Sequence, residues 1–152
     1  MKFSTRTVYG LKAILVLAGR FGQGSLSVSE IAKRENISAP YLEQILNSLK
    51  KKGFVKSVRG PRGGYVLAKK PGEVTLENLF YVLEDKNFKE VDGKLNVTSE
   101  TDEVAIGNLI FWRRLQSSIE KGMSDSTLKD LIDEARRLKK GKPNSSTYTF
   151  HI

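Results

Sequence analysis

Two groups of residues carry side chains able to do chemistry. Ser38, Ala39, Tyr41, Glu43 and Gln44 open one apolar-periodic run, and Arg59-Gly60-Pro61-Arg62 sits in a stretch closed by Gly63 and Gly64. The Gln44 amide can pair bidentately with adenine N6 and N7, and Glu43 can accept from cytosine N4, each pairing worth about 1 to 3 kcal/mol of discrimination. Ser38 and Tyr41 suit phosphate oxygens, and Lys50, Lys51 and Lys52 can neutralise them. A narrow, glycine-bordered loop tipped with arginine can enter a minor groove that a bulkier loop could not. A purely structural assignment also exists: Ser38 only caps a helix, Tyr41 packs on the neighbouring hairpin, Glu43 and Gln44 are solvated, and the lysine run matches a helix dipole.

Other chemistries lack their central residue. Cysteine is absent and the one histidine is His151, which removes thiolate nucleophiles, Cys-based metal sites and an internal imidazole. Gly60 to Gly64 lacks the Lys-Ser/Thr of a phosphate loop and precedes a strand rather than a helix. No paired acidic motif is evident, so neither an enzyme nor a bound metal or cofactor is expected.

The net charge of +9 is unevenly spread along the chain. Residues 1–72 hold 14 Lys and Arg against 3 Asp and Glu, a balance of +11, while residues 73–152 hold 12 against 14, a balance of −2. The first half therefore suits a polyanion and the second another task. No run reaches the roughly 20 apolar residues of a membrane span, and Met1 to Arg20 lacks the pattern of a secretion signal, so cytoplasmic residence with no membrane partner is expected.

The elements that must position these residues are legible from spacing. After Ser4, an N-cap, apolar residues at Val8, Leu11, Ile14, Leu15, Ala18 and Phe21 predict a helix ended by Gly22 and Gly24. Ser27 with Glu30 is a capping-box pattern opening a short helix with Ile31 and Ala32 inward, stopping near Asn36. Ser38 caps a third helix with Pro40 in its first turn, Leu42, Ile45, Leu46 and Leu49 as its apolar stripe, and Gly53 as its stop. Two β-prone runs, Phe54 to Val58 and Tyr65 to Ala68, flank the Gly/Pro loop as a hairpin. A helix-turn-helix followed by such a hairpin makes the hairpin a wing.

Pro71-Gly72 closes this unit, and Thr75 opens a helix with Leu76, Leu79, Phe80 and Leu83 on one face. The stretch from Asp85 to Asp102 reads as a loop. From about Asp102 to Gly122 a longer helix carries two apolar stripes, Ala105, Leu109, Trp112 and Ile119 beside Ile106, Ile110 and Phe111, a girdle wide enough for two neighbours. Trp112 at helical spacing reads as core or interface rather than as a ligand-stacking residue. A second copy of the chain is the expected second neighbour, with Ile106, Leu109, Ile110, Trp112, Arg113 and Ile119 at the dimer interface. Ser124 to Ser126 are expected to cap a final helix carrying Leu128, Leu131, Ile132, Ala135 and Leu138, and Tyr148, Phe150 and Ile152 alternate as a terminal strand would.

The fold class expected is mainly α with a small β-hairpin wing: a winged helix-turn-helix over 1–84, a loop over 85–101, and a dimerisation helix, C-terminal helix and tail over 102–152. Three segments, Phe3-Ser4-Thr5-Arg6-Thr7-Val8-Tyr9-Gly10-Leu11, Ile37-Ser38-Ala39-Pro40-Tyr41-Leu42-Glu43-Gln44-Ile45-Leu46 and Ser57-Val58-Arg59-Gly60-Pro61-Arg62-Gly63-Gly64-Tyr65-Val66-Leu67, closely resemble the Rrf2 family of bacterial winged-helix regulators. The resemblance extends over nearly the whole chain. It implies duplex DNA as partner, homodimerisation, and insertion of Arg59 into a minor groove; Arg62 departs from the glycine many relatives carry at that position.

Iron–sulfur sensors of the family hold three cysteines between the wing and the long helix, and often a histidine three residues before the tryptophan matched by Trp112. Here Glu84 to Leu109 has neither, and Leu109 stands at the histidine position. The chain looks more like the cluster-free branch, which includes a regulator of cysteine metabolism. The expected function is a sequence-specific repressor with no cofactor, taking its signal from a small-molecule effector, a regulatory protein partner or its own abundance. A nonspecific DNA- or RNA-binding architectural protein is the alternative, separable by its indifference to Gln44.

Overall fold

The computed structural model describes residues 4–84 and 102–140. The expected 85–101 loop and the alternating tail from Tyr148 to Ile152 lie outside the described residues. Six α-helices and one hairpin are described, in the order α1 (Thr5–Gly19), α2 (Val28–Glu35), α3 (Ala39–Lys51), β1 (Val55–Val58), β2 (Gly64–Leu67), a 3-10 turn (Pro71–Glu73), α4 (Leu76–Leu83), α5 (Glu103–Ser124) and α6 (Leu128–Lys140).

Local chemistry starts and stops the first elements. Ser4 caps α1 by accepting from the Thr7 amide at 3.1 Å. Ser27 and Glu30 complete the capping box at α2, and Asn36 ends that helix in the left-handed conformation, a role asparagine fills at little cost. Ser38 occupies the N-cap of α3, but its side chain makes no capping bond; Pro40 in the first turn removes a donor that would otherwise need one. One correction concerns Phe21. The helix ends at Gly19 and the chain turns, so Phe21 is 45% exposed rather than part of the inward stripe.

Ile14 from α1, Ile31 from α2 and Leu42, Ile45, Leu46 and Leu49 from α3 are enclosed, joined by Val55 and Leu67 of the hairpin and Leu79 and Leu83 of α4. Burying each large aliphatic side chain stabilises by roughly 1.5 to 3 kcal/mol, enough to fix α3 against its neighbours. The hairpin is antiparallel with Val58 opposite Gly64 and Val55 opposite Leu67. It gains a third participant that sequence spacing did not announce: Leu26 pairs with Tyr65 through bonds of 2.8 and 3.1 Å. Gly64 is required there, because a Cβ would stand 2.1 Å from the Leu26 carbonyl oxygen.

Beyond the wing, the segments preceding α4 and α6 pair as a short antiparallel bridge, Leu76 N–H donating to Ser126 at 2.8 Å and Leu128 N–H to Val74 at 3.0 Å. The start of α6 is set by Thr127 and Asp130 bonding reciprocally, one residue after the Ser124–Ser126 stretch expected to cap it. Leu128 is fully buried, whereas Ala135 and Leu138 further along are exposed. Glu103–Ser124 buries none of its residues.

Candidate nucleic-acid interface

The outward face of α3 follows from the inward one. With Leu42, Ile45, Leu46 and Leu49 buried, the positions three and four apart on the opposite side are Pro40, Glu43, Gln44, Asn47, Lys50 and Lys51. Glu43, Gln44 and Lys50 are exposed, as is Ser38 at the helix entrance, and Ala39 is half-buried. The ring contact of Tyr41 is with α1. Tyr41 is half-buried edge-on against Tyr9 of that helix, ring centres 6.1 Å apart, and its hydroxyl has no protein partner among the described residues.

The wing tip is a tight turn. Gly63 N–H donates to the Gly60 carbonyl at 2.8 Å, and Gly60 takes φ 122°, a conformation that side-chain-bearing residues rarely adopt. Arg59, Gly60, Pro61 and Arg62 are all exposed. The Ser25 hydroxyl donates to the Arg62 carbonyl at 2.6 Å, pinning the loop backbone while leaving the guanidinium outside. Neither Arg59 nor Arg62 is ion-paired within the described residues. Lys50 shares a groove at the base of the hairpin with Lys56 and Lys69, also without acidic partners among the described residues. The geometry therefore brings an α3 face rich in donors and acceptors, an arginine-tipped loop and a basic groove onto the same winged unit.

Two interactions that hold this surface together were missed in the sequence. Arg6 of α1 donates to the Ser48 hydroxyl at 2.6 Å, tying α1 to the back of α3. Tyr65 of β2 donates its hydroxyl proton to Asn47 Oδ1 at 3.2 Å, tying the wing to the outward face of α3. Burial, and then the Glu43 carboxylate, push the Tyr65 phenol up from its ordinary value, so the proton stays on as donor. Nothing local flags either bond: the partners are 42 and 18 residues apart, and Asn47 and Ser48 read as ordinary polar helix positions.

The second candidate surface is α5. Ile110, Trp112 and Arg113 are exposed, and Ile106, Leu109 and Ile119 are half-buried along the same helix. Within one chain Trp112 is not core: it is 41% exposed, lies edge-on to Phe111 at 5.2 Å and donates to Asn108 at 3.0 Å. Val104 and Phe111, absent from the expected interface set, are more exposed still, at 75% and 58%. The end of α5 is held to α4 by Tyr81, which donates to Glu120 at 2.6 Å, while Gln116 donates to the same carboxylate oxygen at 3.0 Å.

The Rrf2 family pattern, described as an iron-dependent transcriptional regulator, matches residues 3–134. The chain belongs to the Rrf2 family. It is 34% identical over 131 residues to the HTH-type transcriptional regulator CymR of Bacillus subtilis, covering 86% of this chain and 89% of CymR. The solved structure of that CymR, named there as the global cysteine regulator of B. subtilis, superposes with a TM-score of 0.70 at 32% identity, covering 88% of this chain and 98% of the other. T. potens IscR superposes with a TM-score of 0.75 at 35% identity and 94% coverage of both chains.

This Rrf2 chain is a DNA-binding transcriptional regulator with a winged-helix fold. The iron dependence in the family's description does not extend to a thiolate-held cluster here. The donor set does not fit one: the chain has no cysteine, and the described residues hold no group of three or more His, Asp or Glu able to hold a metal. No described helix is long and apolar enough to cross a membrane.

Proposed function

We propose that this protein is a cytoplasmic homodimeric repressor that reads a two-fold symmetric operator without an iron–sulfur cluster. Glu43 and Gln44 read base edges in the major groove, and Arg59 enters the adjacent minor groove. Ser38, Tyr41, Lys50 and Arg62 hold phosphates, with Ala39, Gly60 and Pro61 lining the interface. The observation that carries this reading is the continuous outward face of α3 beside a loop whose two arginines have no partner among the described residues. Buried cations would be paired; these are left free for an external anion.

Dimerisation rests on α5. A helix of 22 residues that buries none of them, and leaves Val104, Ile110, Phe111 and Trp112 open to water, is written for a further partner. A second copy satisfies it symmetrically and sets two winged units on half-sites one or two DNA turns apart. On this reading residues 1–84 read DNA, and residues 102–152 join the copies and take the regulatory signal from a protein partner or a small molecule. The relatedness to CymR favours genes of cysteine metabolism as targets. No catalytic role is proposed, since the relatives are named as regulators and the chain lacks the usual catalytic side chains.

Selection of bound duplexes from a random pool tests this directly. The wild type is expected to enrich one two-fold symmetric site, and a Gln44→Ala, Arg59→Ala double variant is expected to enrich none. Equal, unselective binding by both would replace the proposal with the nonspecific nucleic-acid reading.

A further inference from the structure

The outward face of α3 does not end at Gln44. Asn47 stands three residues beyond it and four beyond Glu43, on the same stripe and one turn along the helix. Its amide differs from that of Gln44 in one respect: it is already engaged on one side. Oδ1 accepts from the Tyr65 hydroxyl. Nδ2 has no protein partner among the described residues and is not among the buried unpartnered atoms, so it is not sealed from solvent.

Tyr65 is itself fixed. It is 8% exposed, sits in β2 opposite Ser57, and its backbone bonds Leu26 on the other side. A side chain buried among these partners cannot rotate away, and a phenol that keeps its proton holds the amide with its oxygen inward. An asparagine free in solution can present either its donor or its acceptor, because the amide flips. After a flip the hydroxyl could accept from Nδ2, but its own proton would be left without an acceptor among the described residues, and that loss at a buried phenol favours the oxygen-inward amide.

We propose that Asn47 is a third base-reading residue of this regulator, oriented by Tyr65 so that it presents only N–H donors and selects a keto base, guanine through O6 or thymine through O4, over an amino base. The proposal rests on the DNA-reading function above and adds to it a specified chemistry at one operator position. Cytosine and adenine offer an amino group where the keto oxygen would be, and two donors meeting there repel. Tyr65 acts through Asn47, as a positioning residue.

The test uses the full chain and the symmetric site enriched by the wild type, with each base pair replaced in turn and affinities compared. One position per half-site is expected to prefer a keto over an amino base by about tenfold or more in the wild type. In Asn47→Ala that preference falls to less than about twofold while the Gln44 and Arg59 positions keep theirs. Asn47→Asp keeps the shape and the bond from Tyr65 but offers acceptors, so it reverses the preference toward an amino base on top of a uniform loss from the added charge. Tyr65→Phe frees the amide to flip, and both classes of base are accepted at that one position. Circular dichroism of each variant checks that the wing and α3 remain folded. An enriched site whose base preferences are unchanged in Asn47→Ala, or a loss equal for every sequence, overturns the proposal while leaving the regulator reading intact. A wild type that enriches no site overturns both.

Discussion

Between Thr5 and Leu83 every α-helix buries at least two side chains, and Ile14, Ile31, Leu42, Leu46 and Leu49 are wholly enclosed; α5 is the longest described helix and buries none. The winged unit closes its core with Leu128 of α6 as the one fully buried contribution from the described residues after α4, so its outward residues are free to be chosen for a ligand. In α5 the same residue types, Val104, Ile110, Phe111 and Trp112, lie open to water. The contrast separates two uses of apolar side chains: in the winged unit they make a fold that positions polar groups, and in α5, on the proposed reading, they constitute the recognition surface itself.

The largest expected difference lies in folding. Leu46→Ala, at a position with no exposure and close-packed neighbours, is expected to cost about 2 to 5 kcal/mol in urea unfolding. Should it cost less than about 1 kcal/mol, the winged unit would not be the tightly packed half. Phe111→Ala inverts the pattern: it is expected to weaken self-association about tenfold or more in sedimentation equilibrium, as removal of a central aromatic does, while far-UV dichroism stays unchanged. An unchanged association constant would remove α5 from the interface.

A smaller effect separates affinity from sequence choice. Replacing Lys50, Lys56 and Lys69 together by alanine should make binding less steep in salt, by about 0.9 log units per log unit of salt for each phosphate that is no longer neutralised. The preferred bases should not change. A changed preference with an unchanged slope would place the groove on base edges rather than phosphates.

The smallest effect sits at the seam between the two regions. Burial and the Glu120 carboxylate raise the Tyr81 phenol to about 12. Because the folded value lies above the ordinary one of about 10, the bond from Tyr81 to Glu120 contributes fully below about pH 10 and disappears as pH rises toward 12. The difference in tyrosinate absorbance between wild type and Tyr81→Phe should therefore titrate near 12. Titration near the ordinary value of about 10 would mean that α5 is not held to α4 in this way.

How much of this was legible in the sequence depended on range. The caps at Ser4 and Ser27, the stop at Gly53, and the apolar stripes of α2 to α4 act within a few residues and could be read directly; in α1 the spacing found Ile14 and Ala18 but passed over Ala13, Val16 and Leu17, which are buried while Val8, Leu11 and Leu15 are half-buried. The glycines of the wing announced a turn, and Gly60 bears that out with its positive φ. Bonds that join distant segments could not be read: Leu26 with Tyr65, Arg6 with Ser48 and Tyr65 with Asn47 depend on packing that brings ordinary-looking residues together. Phe21 misled because it continues the helical spacing of α1 past the point where the backbone turns. The spacing of Trp112 left core and interface both open, and its exposure within one chain removes the first of these.

Whether two copies read one symmetric site is tested most directly by the mass of the complex in native mass spectrometry, using the full chain with the selected symmetric duplex and with a scrambled duplex of equal length. Two chains on one symmetric duplex, and none on the scrambled one at moderate salt, is the predicted result. A single chain per duplex, or equal occupancy of both, would contradict it.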